Sequence, residues 1–238
     1  MLISHKHKFI TIDIPKTATR SLRETLLPQN IIDVVGEPNL NADFYQHGTA
    51  QQCFNSFQKL NKNFSEYFSF TIVRNPWDRY YSFFKYLKRK SELYSNSKLM
   101  GDYLSSKSHV WQHSGLYQNW INQEINYCRQ AFDLLSSSGN DQTALKNIIL
   151  ENNSQDSYYC DKNGEIMVSH IAKFENLNKE FELLCNKVNV NYSPLFHGNK
   201  STIKSSYHDA YTQDTIDLVA KKEGVVIKLK NYGYISQT

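Results

Sequence analysis

Two short stretches hold the residues whose types and spacing can do chemistry. The first, Pro15-Lys16-Thr17-Ala18-Thr19-Arg20-Ser21, follows a strand-like run and leads into a helix-like one. Backbone N–H groups at a helix N-terminus, a lysine ammonium and several hydroxyls suit an oxyanion such as a phosphate. The G-x-x-x-x-G-K-[ST] pattern is absent, so the signature of the usual nucleoside triphosphatases is missing. An ordinary strand-to-helix connection with a solvated lysine has the same residue types. The second feature is Arg74 at the end of an apolar run, with Ser82 about two turns into the following segment. An arginine there can fork onto a phosphate with two parallel hydrogen bonds. It can equally pair with Asp78 one helical turn on.

The elements that must position these residues are legible on either side of them. Lys8–Ile14 is rich in β-branched and aromatic residues and reads as a strand stopped by Pro15; Leu22 and Leu26 then share a helical face until Pro28. From Thr49, a plausible N-cap, the residues Ala50, Cys53, Phe54, Phe57 and Leu60 follow helical spacing. Tyr67–Val73 is almost continuously apolar, as expected of a central strand in a parallel sheet, and Pro76 suits a first helical position before Tyr80, Phe83, Phe84 and Leu87. Two strands that each feed a helix, with a further helix between them, make a βαβ arrangement that brings both loops to one sheet edge, where ligands bind. An elongated ligand with anionic groups at two ends fits that placement. Residues 91–153 read as mainly helical and polar, with an amphipathic segment over Leu116–Leu135. Ser157–Cys160 and Ile166–Ile171 flank the turn signal Asp161-Lys162-Asn163-Gly164 and predict a short hairpin, and 176–188 and 212–222 predict late helices.

The chain has 238 residues, 40% hydrophobic and 21% charged, with a formal net charge of +4 and no repeat or Pro/Gly/Ser linker; one domain over 1–238 is the economical expectation. A mean hydropathy of −0.58 and no apolar run near the roughly 18 residues of a bilayer span exclude a membrane-spanning protein. The N-terminal residues lack the apolar core of a secretory signal, so a cytoplasmic protein is expected. Cys53, Cys128, Cys160 and Cys185 lie far apart with no C-x-x-C spacing, so buried thiols are expected rather than a zinc site or disulfides. His109 and His113 have i, i+4 spacing with no third ligand, so no metal is expected. The charge excess is too small for a nucleic-acid surface, and the aromatics follow helix and strand periodicity as core does.

Both motifs resemble those of sulfotransferases that use 3′-phosphoadenosine-5′-phosphosulfate (PAPS), in particular the branch acting on carbohydrates. Ile14-Pro15-Lys16-Thr17-Ala18-Thr19-Arg20-Ser21-Leu22 is similar to that family's 5′-phosphosulfate loop, and Val73-Arg74-Asn75-Pro76-Trp77-Asp78-Arg79-Tyr80-Tyr81-Ser82 to its 3′-phosphate motif. The resemblance continues in Gln46–Ala50, Asp161–Glu165, Ala172–Leu177 and Tyr232-Gly233-Tyr234, leaving about 85–150 uncovered. It departs at Asp13, where the family often has histidine, at Thr19, where it often has glycine or serine, and at Lys228, where it has aspartate. Thr19 then needs ordinary backbone angles where glycine is permissive.

The resemblance implies an α/β fold like the P-loop kinases, a parallel sheet flanked by helices with a mainly helical middle insertion. It implies that PAPS is the donor and PAP the product, with no metal, and that a saccharide or glycoconjugate hydroxyl is the acceptor. Lys16 is implied to stabilise the oxygen from which the sulfuryl group leaves. Pro15, Lys16, Thr17, Ala18, Thr19, Arg20 and Ser21 hold the 5′-phosphate in this reading, and Arg74 and Ser82 the 3′-phosphate. Lys200 and Ser201, in a late loop that often covers the nucleotide in the family, are second candidates; a solvated turn is the alternative. His47 is the expected base, since the heparan-sulfate uronyl branch uses a histidine in this region and imidazole takes a proton near neutral pH; a helix-capping role is the alternative. Tyr103, Lys107, Trp111 and Trp120 are candidates for an acceptor groove, against core packing for the aromatic ones. Two other function classes stay open on the residues alone: a small-molecule kinase using ATP, and a non-catalytic protein that binds nucleotide or anionic glycan.

Overall fold

The computed structural model describes residues 1–37, 43–111, 117–196 and 206–234, with side chains at 107–111 and 117–120 not described. Two units are distinguished, one from the described residues of Met1–Arg79, Asn153–Ser206 and Asp217–Thr238, the other from those of Tyr80–Asn152 and Tyr207–Ile216.

The first unit is built on a five-stranded sheet of order β3-β1-β2-β4-β5, with β1 Leu2–Ser4, β2 Phe9–Ile12, β3 Val34–Val35, β4 Phe68–Val73 and β5 His170–Lys173. β4 runs parallel to β2 on one side and to β5 on the other. The expectation of a parallel sheet needs one correction: β1 is antiparallel to both β2 and β3. Leu2–Ser4 folds back on Phe9–Thr11 through a tight turn in which Lys8 has φ 49°. A three-residue strand leaves too little sequence for alternation to be read.

Alternation along the strands splits the core into two layers. Ile3, Ile10 and Ile12 face α2 (Ala50–Lys59), packing with Ala50, Cys53 and Phe57 and with Tyr158 and Tyr159 of the short α7 (Asp156–Tyr159). Leu2, Phe9, Phe70 and Ile72 face the other way, against Leu22 and Leu26 of α1 (Thr19–Leu26) and Phe181, Leu184 and Cys185 of α8 (Leu177–Lys187). A strand buried on both faces has no polar side to alternate with, which is why β4 reads as a continuous apolar run. α2 begins where its cap predicts: Thr49 Oγ1 accepts from Gln52 N–H at 3.1 Å while Gln52 Oε1 accepts from Thr49 N–H at 2.8 Å, a reciprocal capping box.

The predicted hairpin around Asp161–Gly164 is the second correction. The turn forms, with Gly164 at φ 85° and Asp161 Oδ1 accepting from Asn163 and Glu165 N–H, but only one antiparallel bridge, Cys160 to Ile166, closes it. Ser157–Tyr159 is helical instead, because Tyr158 and Tyr159 are drawn into the core, and His170–Lys173 pairs in parallel with β4. α9 (Gln213–Lys222) and α10 (Gly224–Lys230) complete the late helices.

Of the second unit, α3 (Pro76–Ser95, entered from the first unit), α4 (Ser97–Trp111), α5 (Tyr117–Ser138) and α6 (Asp141–Glu151) make the region helical. Its inner polar contact is Lys90, 4% exposed, whose ammonium meets Glu124 and the Tyr103 hydroxyl, the latter at 2.8 Å. Tyr103 in turn donates to Glu124 at 3.0 Å, so its hydroxyl is committed within the helices. The four cysteines are buried and free, and burial pushes the Cys53 thiol up to about 12. Among the described residues no helix is long and apolar enough to cross a membrane.

Candidate active site

Parallel pairing of β2 with β4 brings their C-terminal ends side by side, so the loop after Ile12 and the loop after Val73 emerge at one edge. The first loop has an unusual backbone. Lys16 has φ 72° and Ala18 φ 68°, while Thr17 and Thr19 have ordinary negative values, so the sign of φ alternates along the loop. Such alternation curls successive peptide N–H groups toward one side, the geometry that receives an anion. Left-handed φ costs a non-glycine residue on the order of 1–2 kcal/mol, so something must hold the loop there. The strain falls on Lys16 and Ala18 and leaves Thr19, where the family often carries glycine, unstrained.

Three sets of bonds hold it. The Thr17 and Thr19 hydroxyls both donate to the Ile14 carbonyl, at 2.8 and 3.2 Å, folding the loop over the end of β2. Arg79 Nε donates to the Pro15 carbonyl at 3.2 Å, and Arg74 Nη1 to the Lys16 carbonyl at 3.2 Å. In a trans peptide the C=O of one residue and the N–H of the next point opposite ways. Pinning the Pro15 and Lys16 carbonyls on the two arginines therefore turns the N–H groups of Lys16 and Thr17 to the other side. The first turn of α1 adds N–H groups that have no intrahelical acceptor. Arg20 is exposed and pairs with Glu24 at 3.4 Å, and Ser21 is half-buried on α1.

Arg74 combines both alternatives that its sequence allows. Nε pairs with Asp78 at 2.7 Å, the guanidinium stacks on Phe174 at 4.3 Å, and Nη1 reaches Lys16. Of its five guanidinium hydrogens, one on Nη1 and both on Nη2 meet no acceptor among the described residues. Ser82 lies further along α3, half-buried, in the second unit.

His47 stands beside the start of the first loop. Its Nδ1 is 2.9 Å from the Asp13 carbonyl, which can only accept, so Nδ1 carries the proton and Nε2 presents its lone pair. Burial, the largest cause, holds the imidazole below the ordinary histidine value, and the Met1 amino group and Arg23 push the same way against Asp13. Burial thus favours the neutral ring. Asp13 itself is buried, accepts from the Thr11 hydroxyl at 2.9 Å and lies 3.6 Å from Arg23 Nε.

The Asn75–Arg79 segment is locked by residues whose roles the sequence did not disclose. Gln155 pairs with both backbone groups of Arg74, Glu175 accepts from Asn75 N–H at 2.8 Å and from the Tyr232 hydroxyl at 2.8 Å, and Asn75 Nδ2 donates to the Gly233 carbonyl at 2.9 Å. Trp77 meets Tyr234 edge to face at 5.7 Å. Ala172–Leu177, which holds Glu175, and Tyr232-Gly233-Tyr234 are the signals for this that the sequence offered; Gln155 lies outside both. Lys200, Ser201 and His113 lie outside the described residues, as do the side chains of His109, Lys107, Trp111 and Trp120. No grouping of three potential metal ligands occurs among the described residues.

A model described as "Sulfotransferase family" matches residues 1–226, nearly the whole chain. No curated protein and no solved structure gives a significant match. The loop that follows β2, the arginine that follows β4, and Gln155 and Glu175 that brace them fall inside the matched range, whereas Tyr232-Gly233-Tyr234 lies just beyond it; the chain belongs to the sulfotransferase family.

Proposed function

We propose that this sulfotransferase uses PAPS and acts on a hydroxyl of a saccharide or glycoconjugate, as one domain over 1–238 working in the cytoplasm. The observation that carries the donor assignment is the pair of arginine-to-carbonyl bonds, Arg79 to Pro15 and Arg74 to Lys16, which turn the first loop into an anion cradle. When bound, PAPS supplies an activated sulfuryl group. The chain's own residues then do four things. The peptide N–H groups over Lys16–Ser21 take the 5′-phosphate at the N-terminus of α1, where the helix dipole also favours negative charge. The Nη2 of Arg74 takes the 3′-phosphate, with Ser82 and, from the late loop, Lys200 and Ser201 proposed as further contacts from their motif positions. The Lys16 ammonium neutralises charge building on the oxygen that parts from sulfur, electrostatic stabilisation of the kind used in phosphoryl transfer. His47 Nε2 accepts the proton of the acceptor hydroxyl as its oxygen bonds to sulfur.

The test is transfer of ³⁵S from labelled PAPS to a panel of oligosaccharides by wild type, Lys16→Ala and His47→Ala. Label on a saccharide that falls at least a hundredfold in both variants supports the reading; transfer unaffected by either variant contradicts the roles given to them.

A further inference from the structure

Behind the two loops, Arg79 continues into a buried polar strut whose base, Glu223, has no role above. Glu223, at the junction of α9 and α10, is fully buried, as is Gln155 just before α7. Glu223 Oε1 accepts from Arg79 Nη1 at 3.0 Å, and Oε2 accepts from the Gln155 backbone N–H at 3.1 Å and side-chain Nε2 at 3.4 Å. From this carboxylate two branches run to the loops. On one, Arg79, 3% exposed, passes Asn153, whose carbonyl it bonds through both Nη atoms at 3.2 Å, and ends on the Pro15 carbonyl at 3.2 Å. On the other, Gln155 Oε1 accepts from Arg74 N–H at 2.9 Å and Nε2 donates to the Arg74 carbonyl at 2.9 Å. The side-chain amide thus pairs with Arg74 as a neighbouring strand would, beyond the last residue of β4.

A carboxylate removed from water is costly unless it is paired and hydrogen-bonded, so this one holds its partners in a narrow range of positions. We infer that Glu223 and Gln155 are positioning residues for the nucleotide: Glu223 sets the 5′ cradle through Arg79 and Pro15, and Gln155 sets the 3′-phosphate arginine by clamping its backbone. Arg79, although part of the second motif, serves the first loop. Its guanidinium is directed at carbonyls and a carboxylate, which makes it a strut rather than an anion ligand. The inference rests on the nucleotide reading proposed above, and its test separates the two.

The experiment measures dissociation constants of PAP, of adenosine 5′-monophosphate and of adenosine 3′-monophosphate for wild type, Glu223→Gln and Gln155→Met, with circular dichroism and thermal melting to show that each is folded. Wild type that binds none of the three removes the nucleotide reading, and this inference with it. Given wild-type binding, Glu223→Gln is expected to weaken PAP and the 5′ ester about tenfold, the effect of losing one well-oriented charge-assisted contact. Gln155→Met is expected to weaken PAP and the 3′ ester about tenfold while leaving the 5′ ester within about twofold. A role in stability alone does not split the two esters. A folded Gln155→Met that loses both esters equally, or folded variants that keep wild-type affinity for both, overturn the inference while leaving the donor assignment intact. Should Glu223→Gln not fold, Glu223→Asp, which keeps the charge and shortens its reach, carries the same comparison.

Discussion

Replacing Arg79 with methionine is expected to be among the most damaging single changes to the sheet-bearing unit, and for a reason that can be dissected. Methionine fills much of the arginine's volume, so the cavity left is small. What is lost is electrostatic: Glu223 loses its guanidinium at 3.0 Å while remaining fully buried, and the carbonyls of Pro15 and Asn153 lose their donors. Breaking one side of a buried ion pair costs about 3–5 kcal/mol, because the surviving charge stays out of water. At roughly 2–4 °C per kcal/mol for a chain of this size, the melting temperature should fall by on the order of 10 °C. The informative variant is the double one. Arg79→Met with Glu223→Gln removes the stranded charge together with its partner, so it should be more stable than Arg79→Met alone by about 1–3 kcal/mol. Urea titrations followed by far-ultraviolet circular dichroism measure all three stabilities. A loss under about 1 kcal/mol for Arg79→Met, or a double variant that is merely the sum of the singles, refutes the strut.

Three further outcomes follow from the same geometry. Thr49→Ala removes the acceptor of the α2 capping box and should cost about 1 kcal/mol, a fall of a few degrees in melting temperature, with Thr49→Ser restoring most of it. Ala18 holds φ at 68°, where a β-branched side chain is strongly disfavoured, so Ala18→Val should destabilise by more than about 1 kcal/mol and weaken PAP, whereas Ala18→Gly should lose no stability in the same melts. His47 is held below the ordinary histidine value, so the neutral, proton-accepting form persists to lower pH than in a free imidazole. The kcat/KM for transfer should therefore be flat through neutral pH and fall only as pH drops below about 6.5; a limb centred above that value, or one retained in His47→Ala, contradicts the assignment.

The parts of the fold that were legible share one property: their evidence is local. The run Phe68–Val73, the cap Thr49 with Gln52 behind it, and Pro76 at the start of α3 each announce themselves within a few residues, because burial on both faces, end-capping and a fixed φ leave direct marks on residue type. β1 and β3 did not, being three and two residues long. The residues Asp161–Gly164 announce a turn, but not that it closes with one antiparallel bridge, since the partner of His170–Lys173 is β4, far away in sequence. At the site, the two motifs were visible as residue types, but the bonds that join them were not. Nothing near Glu223 in sequence distinguishes it from a solvated glutamate at a helix end. Only the convergence of α9, α10 and the segment at Gln155 buries it beside Arg79. The same holds for the strain at Lys16 and Ala18, which residue type argues against and which the grip of Arg74 and Arg79, with the Thr17 and Thr19 hydroxyls on the Ile14 carbonyl, explains.

The central claim, that the paired loops form a site for the PAP moiety, is tested most directly by thermal unfolding of wild type and Arg74→Ala with increasing PAP, and with ATP plus magnesium as the rival ligand. At a concentration near 100 times the dissociation constant, a specific ligand adds about 2.7 kcal/mol, which for this chain is a rise of roughly 5–10 °C. The account predicts that rise with PAP, its near-complete loss in Arg74→Ala, and little response to ATP and magnesium. A folded wild type that PAP does not stabilise, or one stabilised by ATP and magnesium alone, contradicts it, the latter in favour of a kinase.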